Sequence, residues 1–213
     1  MNFIQIIYLL SITFAFIKGL THYNSLEGAS KFIVILLGFT LINETISFVL
    51  FVQKKNNMPV YQIYSLVYYS LIVKYFCSSI DIMKEYFKLK LTLAVGIFAY
   101  IINLMYLQPI TILNSHFLLF TAILIISLSL ISYFRMLVSK EGIRLTGSRV
   151  FWINTILLVY WSITFLHWGM YNVLDVLLGS NLWVMHLFLN LMNIGTYTGL
   201  GLVLGSNRLD SHG

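Results

Sequence analysis

Residues 116–138 read HFLLFTAILIISLSLISYFRMLV. A helix on the surface of a soluble protein keeps a polar face at helical period. The runs Ile123–Ile126 and Leu128–Ile131 offer no such face. This stretch is therefore apolar all round, and at about 20 residues it is long enough to span a bilayer.

Six more stretches read the same way. In chain order the seven are Phe3–Gly19, Phe32–Val52, Val60–Phe76, Leu91–Leu107, His116–Val138, Val150–Tyr171 and Leu182–Leu204. They occupy most of the 213 residues and leave no connection long enough for a soluble domain. The composition agrees: 59% of residues are hydrophobic and 9% charged, against roughly 25% charged in soluble domains. Too few charges remain to cover a water-facing surface. The expected fold is all-α, a polytopic bundle of seven transmembrane helices in a single domain, residues 1–213. The first stretch lacks a basic segment ahead of its apolar run, so it reads as a retained helix and not as a cleaved signal. Cys77 is the single cysteine, which excludes an intrachain disulfide and a CxxC metal site.

Loop charge sets an expected orientation. Lys18, Lys31, Lys74, Lys84, Lys88, Lys90, Arg135, Lys140, Arg144, Arg149 and Arg208 fall on one side of the seven segments, and only Lys54 and Lys55 on the other. Cytoplasmic loops are enriched in Lys and Arg. The N-terminus is then outside and the C-terminus cytoplasmic, in a bacterial inner membrane. The net charge of +6 follows from this bias and suits anionic headgroups. The expected partner is the bilayer. Nucleic acid is excluded, because no basic soluble surface exists to bind it. Ile80–Lys90 keeps Ile80, Met83 and Phe87 on one helical face, which reads as an interfacial extension of the third helix.

Polar residues inside the apolar segments carry the functional reading. Glu44 lies about 20 Å of helix from Lys31 and about 15 Å from Lys54. An acidic side chain at that depth costs about 2.5–3.5 kcal/mol on insertion scales, so it faces the interior and has a partner. Thr40, Glu44 and Ser47 share a helical face. Either Glu44 ties two helices together, or it serves a ligand, an ion or a proton. Tyr61, Tyr64, Tyr68 and Tyr75 fall within about 60° around the third helix, either as packing or as one wall of a pocket. On the seventh helix His186, Asn190, Asn193 and Tyr197 share a face, and Gly195 and Gly199 form a GxxxG opposite it, with Gly201 and Gly205 nearby. Small residues allow close helix approach. The sixth helix adds Asn154, Trp161, Trp168 and Asn172 on one face, and Tyr160, Thr164, His167 and Tyr171 on the next. If the helices form one ring, His167, His186 and Glu44 converge on the outer half.

Enzymatic motifs are missing from the sequence. It has no HExxH or HxxxH zinc spacing, no G-x-S-x-G, no glycine-rich phosphate loop, and no lysine in the seventh helix for a retinal Schiff base. No catalytic residue, metal ligand or cofactor is expected.

Several residues together carry a resemblance: Glu44, Asn56-Asn57, Tyr61-Gln62-Ile63-Tyr64, Asn114-Ser115, Phe151-Trp152-Ile153-Asn154 with Tyr160 and Ser162, and Leu182-Trp183 with His186, Asn190 and Asn193. In their order and spacing the chain resembles an uncharacterised family of small seven-helix membrane proteins of Bacteroidota, often encoded beside sensor histidine kinases. The resemblance implies a signalling role and a histidine kinase as membrane or cytoplasmic partner. It also implies acidic residues at Tyr68 and near Thr121 and a histidine at Gln62, so this chain keeps only Glu44 of that acidic set.

The function expected from the sequence is an integral membrane sensor or signalling module. Its ligand site would be lined by Glu44, Tyr61, Tyr64, Tyr68, His167, His186, Asn190 and Asn193. The alternatives are a small proton-coupled transporter using Glu44, an intramembrane metal-dependent hydrolase, and a structural subunit of an envelope complex.

Overall fold

The computed structural model describes residues 3–80, 86–138, 145–178, 182–206 and 209; the side chains of 86, 145, 170–178, 182 and 186 lie outside the described set. The described residues form seven α-helices: α1 (Phe3–Thr21), α2 (Gly28–Val52), α3 (Met58–Ser79), α4 (Tyr86–Ile102), α5 (Ser115–Val138), α6 (Arg149–Leu178) and α7 (Leu182–Leu204). Six of them are long and apolar enough to cross a membrane. The exception is α3, whose tyrosines, serines and Gln62 dilute its apolar content. The chain is a multi-pass helical membrane protein with lipid-facing spans.

The distribution of side chains on α2 shows why lipid is the solvent. Thr40, Asn43 and Ser47 are buried, while Phe39, Ile42, Ile46 and Val49 are exposed. On α4 and at the residue that follows it, Gly96, Tyr100 and Asn103 are turned in, and Val95, Phe98 and Ile101 out. Water would favour the reverse arrangement. In lipid the outward isoleucines cost nothing, and the polar groups are better placed against protein.

Two of the expected boundaries are corrected. Ile80–Lys90 does not prolong α3, which stops at Ser79, with the Ile80 N–H donating to the Phe76 carbonyl. Residues 81–85, Met83 among them, lie outside the described residues, and α4 already begins at Tyr86. Phe87, Lys88 and Lys90 thus belong to α4. The fourth span also does not end as α-helix: residues Asn103–Leu107 form one π turn.

The chain divides into two compact units, residues 1–24 with 122–213, and residues 25–121. In the first, α7 packs along α1 and also against α6. A Cβ on Gly201 would lie 2.6 Å from Phe14 Cε1 and 3.0 Å from the Ala15 Cα, and one on Gly205 would lie 2.9 Å from Lys18 Cδ. Tyr8 and Tyr197 stack at a tilt, 5.9 Å apart, across the same two helices. The close-approach pair is therefore Gly201 with Gly205. Gly199 touches only Ile156 of α6, and Gly195 faces nothing within 4 Å. The GxxxG reading of Gly195 and Gly199 was right in spacing but one turn and more displaced in place. Between α5 and α6, Asn154 Nδ2 donates to Ser132 Oγ. Tyr133 pairs with Thr155 Oγ1, which already donates to the Phe151 carbonyl, so the tyrosine is the donor. Arg149 is buried and donates to the Ser206 carbonyl at 2.9 Å, placing a cation at the C-terminal end of α7, where the helix dipole favours one.

In the second unit α3 is central, packing against α2 and α4. The turn between α2 and α3 closes α2 by two bonds, Lys54 N–H to the Phe51 carbonyl and Lys55 N–H to the Leu50 carbonyl, both 2.9 Å. This is a Schellman closure, and it puts Lys54 at φ 57°, a left-handed position usually held by glycine. Asn56 Oδ1 then accepts from the Met58 N–H at 2.9 Å, which starts α3.

Candidate functional site

Antiparallel packing of α2 and α3 fixes which polar groups meet. Tyr64 lies against Thr40, with 2.6 Å between hydroxyls. Thr40 gives its single proton to the Leu36 carbonyl at 2.8 Å, so Tyr64 is the donor to Thr40. One turn away, the Tyr61 hydroxyl donates to Glu44 Oε2 at 3.2 Å. The Ser47 hydroxyl is buried on the same face of α2 and has no hydrogen-bond partner among the described residues. Tyr68 meets Tyr64 edge-on at 5.9 Å. Glu44 and the first three tyrosines are half-buried, not sealed.

The polar strip of α2 thus meets the tyrosine stripe of α3, as the helical faces imply. The structure adds Asn43, which sits between Thr40 and Ser47 on the same face. It is 4% exposed, and among the described residues neither its Oδ1 nor its Nδ2 has a hydrogen-bond partner. Reading Thr40, Glu44 and Ser47 as a face without testing Asn43 missed it, although its spacing of three from Thr40 and four from Ser47 marks it. Tyr75 is fully buried and packs edge-on with Phe76 at 5.1 Å, so it belongs to the core. Tyr69, which is not in the stripe, is the α3 tyrosine that packs on Phe117 at 5.7 Å.

A second set of polar residues lies at the same end of this unit. Gln62 is 0% exposed and its Nε2 donates to the Ile112 carbonyl at 2.9 Å and the Pro109 carbonyl at 3.4 Å. Asn56 Nδ2 donates to the Thr111 carbonyl at 2.8 Å, and Asn114 Nδ2 donates to Ser65 Oγ. Gln108 accepts from the His116 N–H and donates to Ser115 Oγ, closing the start of α5. The connection from Gln108 to Asn114 is therefore fastened to the first two turns of α3 by amide side chains. Asn56, Gln62, Asn114 and Ser115, quoted above for the resemblance from distant parts of the chain, come together here.

The remaining expected site residues belong to the other unit. His167 is buried on α6 and meets Trp168 edge-on at 4.8 Å. Asn190 and Asn193 are half-buried on α7. The side chains of His186, Tyr171 and Asn172 lie outside the described residues. Cys77 is buried in the last turn of α3. Among the described residues, no three of His, Cys, Asp and Glu come together as a set that could hold a metal.

What the α2–α3 arrangement can do chemically is hold a hydrogen-bonding group. It offers a carboxyl, a phenol and an unpaired amide within about two turns of helix, beside aromatic faces. Neither a protein-family model, nor a curated protein, nor a solved structure matches the chain.

Proposed function

We propose that this protein is an integral membrane sensor or signalling module that takes a small polar ligand or a lipid headgroup at the α2–α3 site. The observation that carries the reading is Asn43. A buried amide with both polar atoms unpaired costs stability unless something bonds to it. It adjoins Glu44 in the chain, and Glu44 accepts from Tyr61, so the carboxyl and the phenol can share a proton or a ligand. Tyr64 and Tyr68 supply the apolar wall such a ligand would need.

The lysine and arginine bias supports a direction. With the N-terminus outside, the α2–α3 turn carrying Lys54 and Lys55 is external. The site then lies on the order of 10 Å below that surface, and the basic loops face a cytoplasmic partner. That polarity suits inward reporting in an inner membrane. The histidine kinase partner rests on the resemblance alone.

The test is mass spectrometry of the protein purified from its own membrane in mild detergent. The expected result is a small molecule or specific lipid that co-purifies with wild type and is lost in Glu44→Gln and Tyr61→Phe. Equal retention of bulk lipid by all three, with nothing else bound, overturns the reading. The Glu44–Tyr61 pair also suits a proton-coupled carrier. A pH gradient across proteoliposomes that drives solute flux in wild type and not in Glu44→Gln would favour that alternative.

A further inference from the structure

The π turn at the end of α4 has a consequence for the interior. It is closed by the Gln108 N–H donating to the Asn103 carbonyl at 2.7 Å. Such turns are rare and concentrate at functional positions. This one begins at Asn103, which is 2% exposed, with neither Oδ1 nor Nδ2 partnered. Gln62 of α3 is also fully buried, and its Oε1 has no partner. Its orientation is settled by chemistry, because the other amide atom meets two carbonyl oxygens and must be the nitrogen.

The helix register puts these two amides at the same level of the α3–α4 pair. Tyr69 lies directly against Gly96, and its hydroxyl donates to the Thr92 carbonyl at 2.6 Å. Gln62 precedes Tyr69 by two helical turns on the same face of α3, and Asn103 follows Gly96 by two turns on the same face of α4. In antiparallel neighbours both run about 10 Å in the same direction from the Tyr69–Gly96 contact. Gln62 points about 160° away from Tyr64 around α3, so this location is separate from the Glu44–Tyr61 cluster.

We propose that Gln62 and Asn103 hold an internal water between α3 and α4, and that the π turn serves to present Asn103 to it. Two carbonyl oxygens need donors and one amide NH2 group needs an acceptor. Water supplies two donors and an acceptor, and buried waters commonly make about three bonds. Neutral amides on both sides suit a neutral guest better than an ion. The water would tie the end of α4 to the helix that already holds residues 108–112, so one buried molecule would help fix the α4–α5 connection.

A high-resolution structure of the wild-type protein in lipid nanodiscs tests this directly. The expected result is one compact density peak within hydrogen-bond distance of Gln62 Oε1 and an Asn103 amide atom. No density there, or an extended organic density, overturns the proposal. Thermal unfolding of Asn103→Leu supplies an independent sign. If the amides are hydrated, the substitution strands Gln62 Oε1 and lowers Tm by roughly 2–4 °C. If they are bare, it removes two unsatisfied atoms and raises Tm, which also overturns the proposal. Should Asn103→Leu not fold, the wild-type density decides alone.

Discussion

Helices α1 and α7 meet through what their side chains lack, whereas α2 and α3 meet through what theirs carry. At the first pair, Gly201 lets the Phe14 ring and the Ala15 backbone come in close. At the second, hydroxyls and a carboxyl reach across at Thr40–Tyr64 and Glu44–Tyr61. Lipid is as apolar as leucine, so helices in a membrane gain little from burying apolar surface against one another. They associate through close packing or through hydrogen bonds, and these two helix pairs use one device each. Close packing leaves no group free for anything else. A polar interface presents groups that can hydrogen-bond a guest, and for that reason the candidate site lies on α2 and α3.

The contrast breaks first at Gly96. The second unit also contains a close-packed glycine, where an added Cβ would overlap the Tyr69 ring. Tyr69 is fully buried, held by its bond to Thr92 and by Phe117, so it has no room to retreat. Gly96→Ala is expected to cost about 3 kcal/mol in reversible unfolding in mixed micelles. Tyr69→Leu in the same chain should recover part of that loss by opening the space. A cost under about 0.5 kcal/mol would mean that the ring moves freely and that α3–α4 is not close-packed.

Next in size is Gly201→Ala. The clash is with an aromatic edge and with backbone at 3.0 Å, and backbone does not swing aside. About 1–3 kcal/mol is expected. Phe14→Leu, which shortens the side chain facing Gly201, should reduce it.

The polar interface is expected to respond less. Interhelical hydrogen bonds in membranes average about 0.6 kcal/mol in double-mutant cycles. Thr40→Val with Tyr64→Phe should give a coupling of that order. A coupling above about 2 kcal/mol would mean that the α2–α3 pair is held by these bonds in the way α1–α7 is held by glycine, and the division of labour between the units would fail.

How far these features were legible in the sequence follows the same physics. Spans announce themselves because a lipid-facing helix must be apolar on its whole outer face, as Ile123–Ile126 shows. The meeting of α2 with the stripe of α3 was legible too, since a face is fixed by 100° steps whatever packs on it. The partner of a face is not fixed that way. Gly195 and Gly199 have the right spacing, yet it is Gly201 and Gly205 that meet α1, because the choice depends on where another helix lies. Asn43 lies on the same face by the same count, three residues from Thr40 and four from Ser47. The π turn at Asn103 leaves no trace in periodicity, because it sits just before residues 109–112, which Asn56 and Gln62 fasten from elsewhere in the chain. The early start of α4 at Tyr86 was obscured by lysines at 88 and 90, which look like loop but tolerate a helix end at an interface.

The smallest effect is the sharpest control. Gly195 has nothing within 4 Å of an added Cβ and is exposed on α7, between Leu191 and Leu202, which are also exposed. Gly195→Ala is therefore expected to change stability by no more than about 0.5 kcal/mol, with any shift toward greater stability because alanine holds a helix better than glycine. Gly195 and Gly201 lie on the same helix and undergo the same chemical change, so helix propensity cancels between them. What differs is the neighbour. If Gly195→Ala cost as much as Gly201→Ala, close packing on α7 would extend beyond α1 and α6 to another chain. The α1–α7 contact would then no longer stand for how that helix is held.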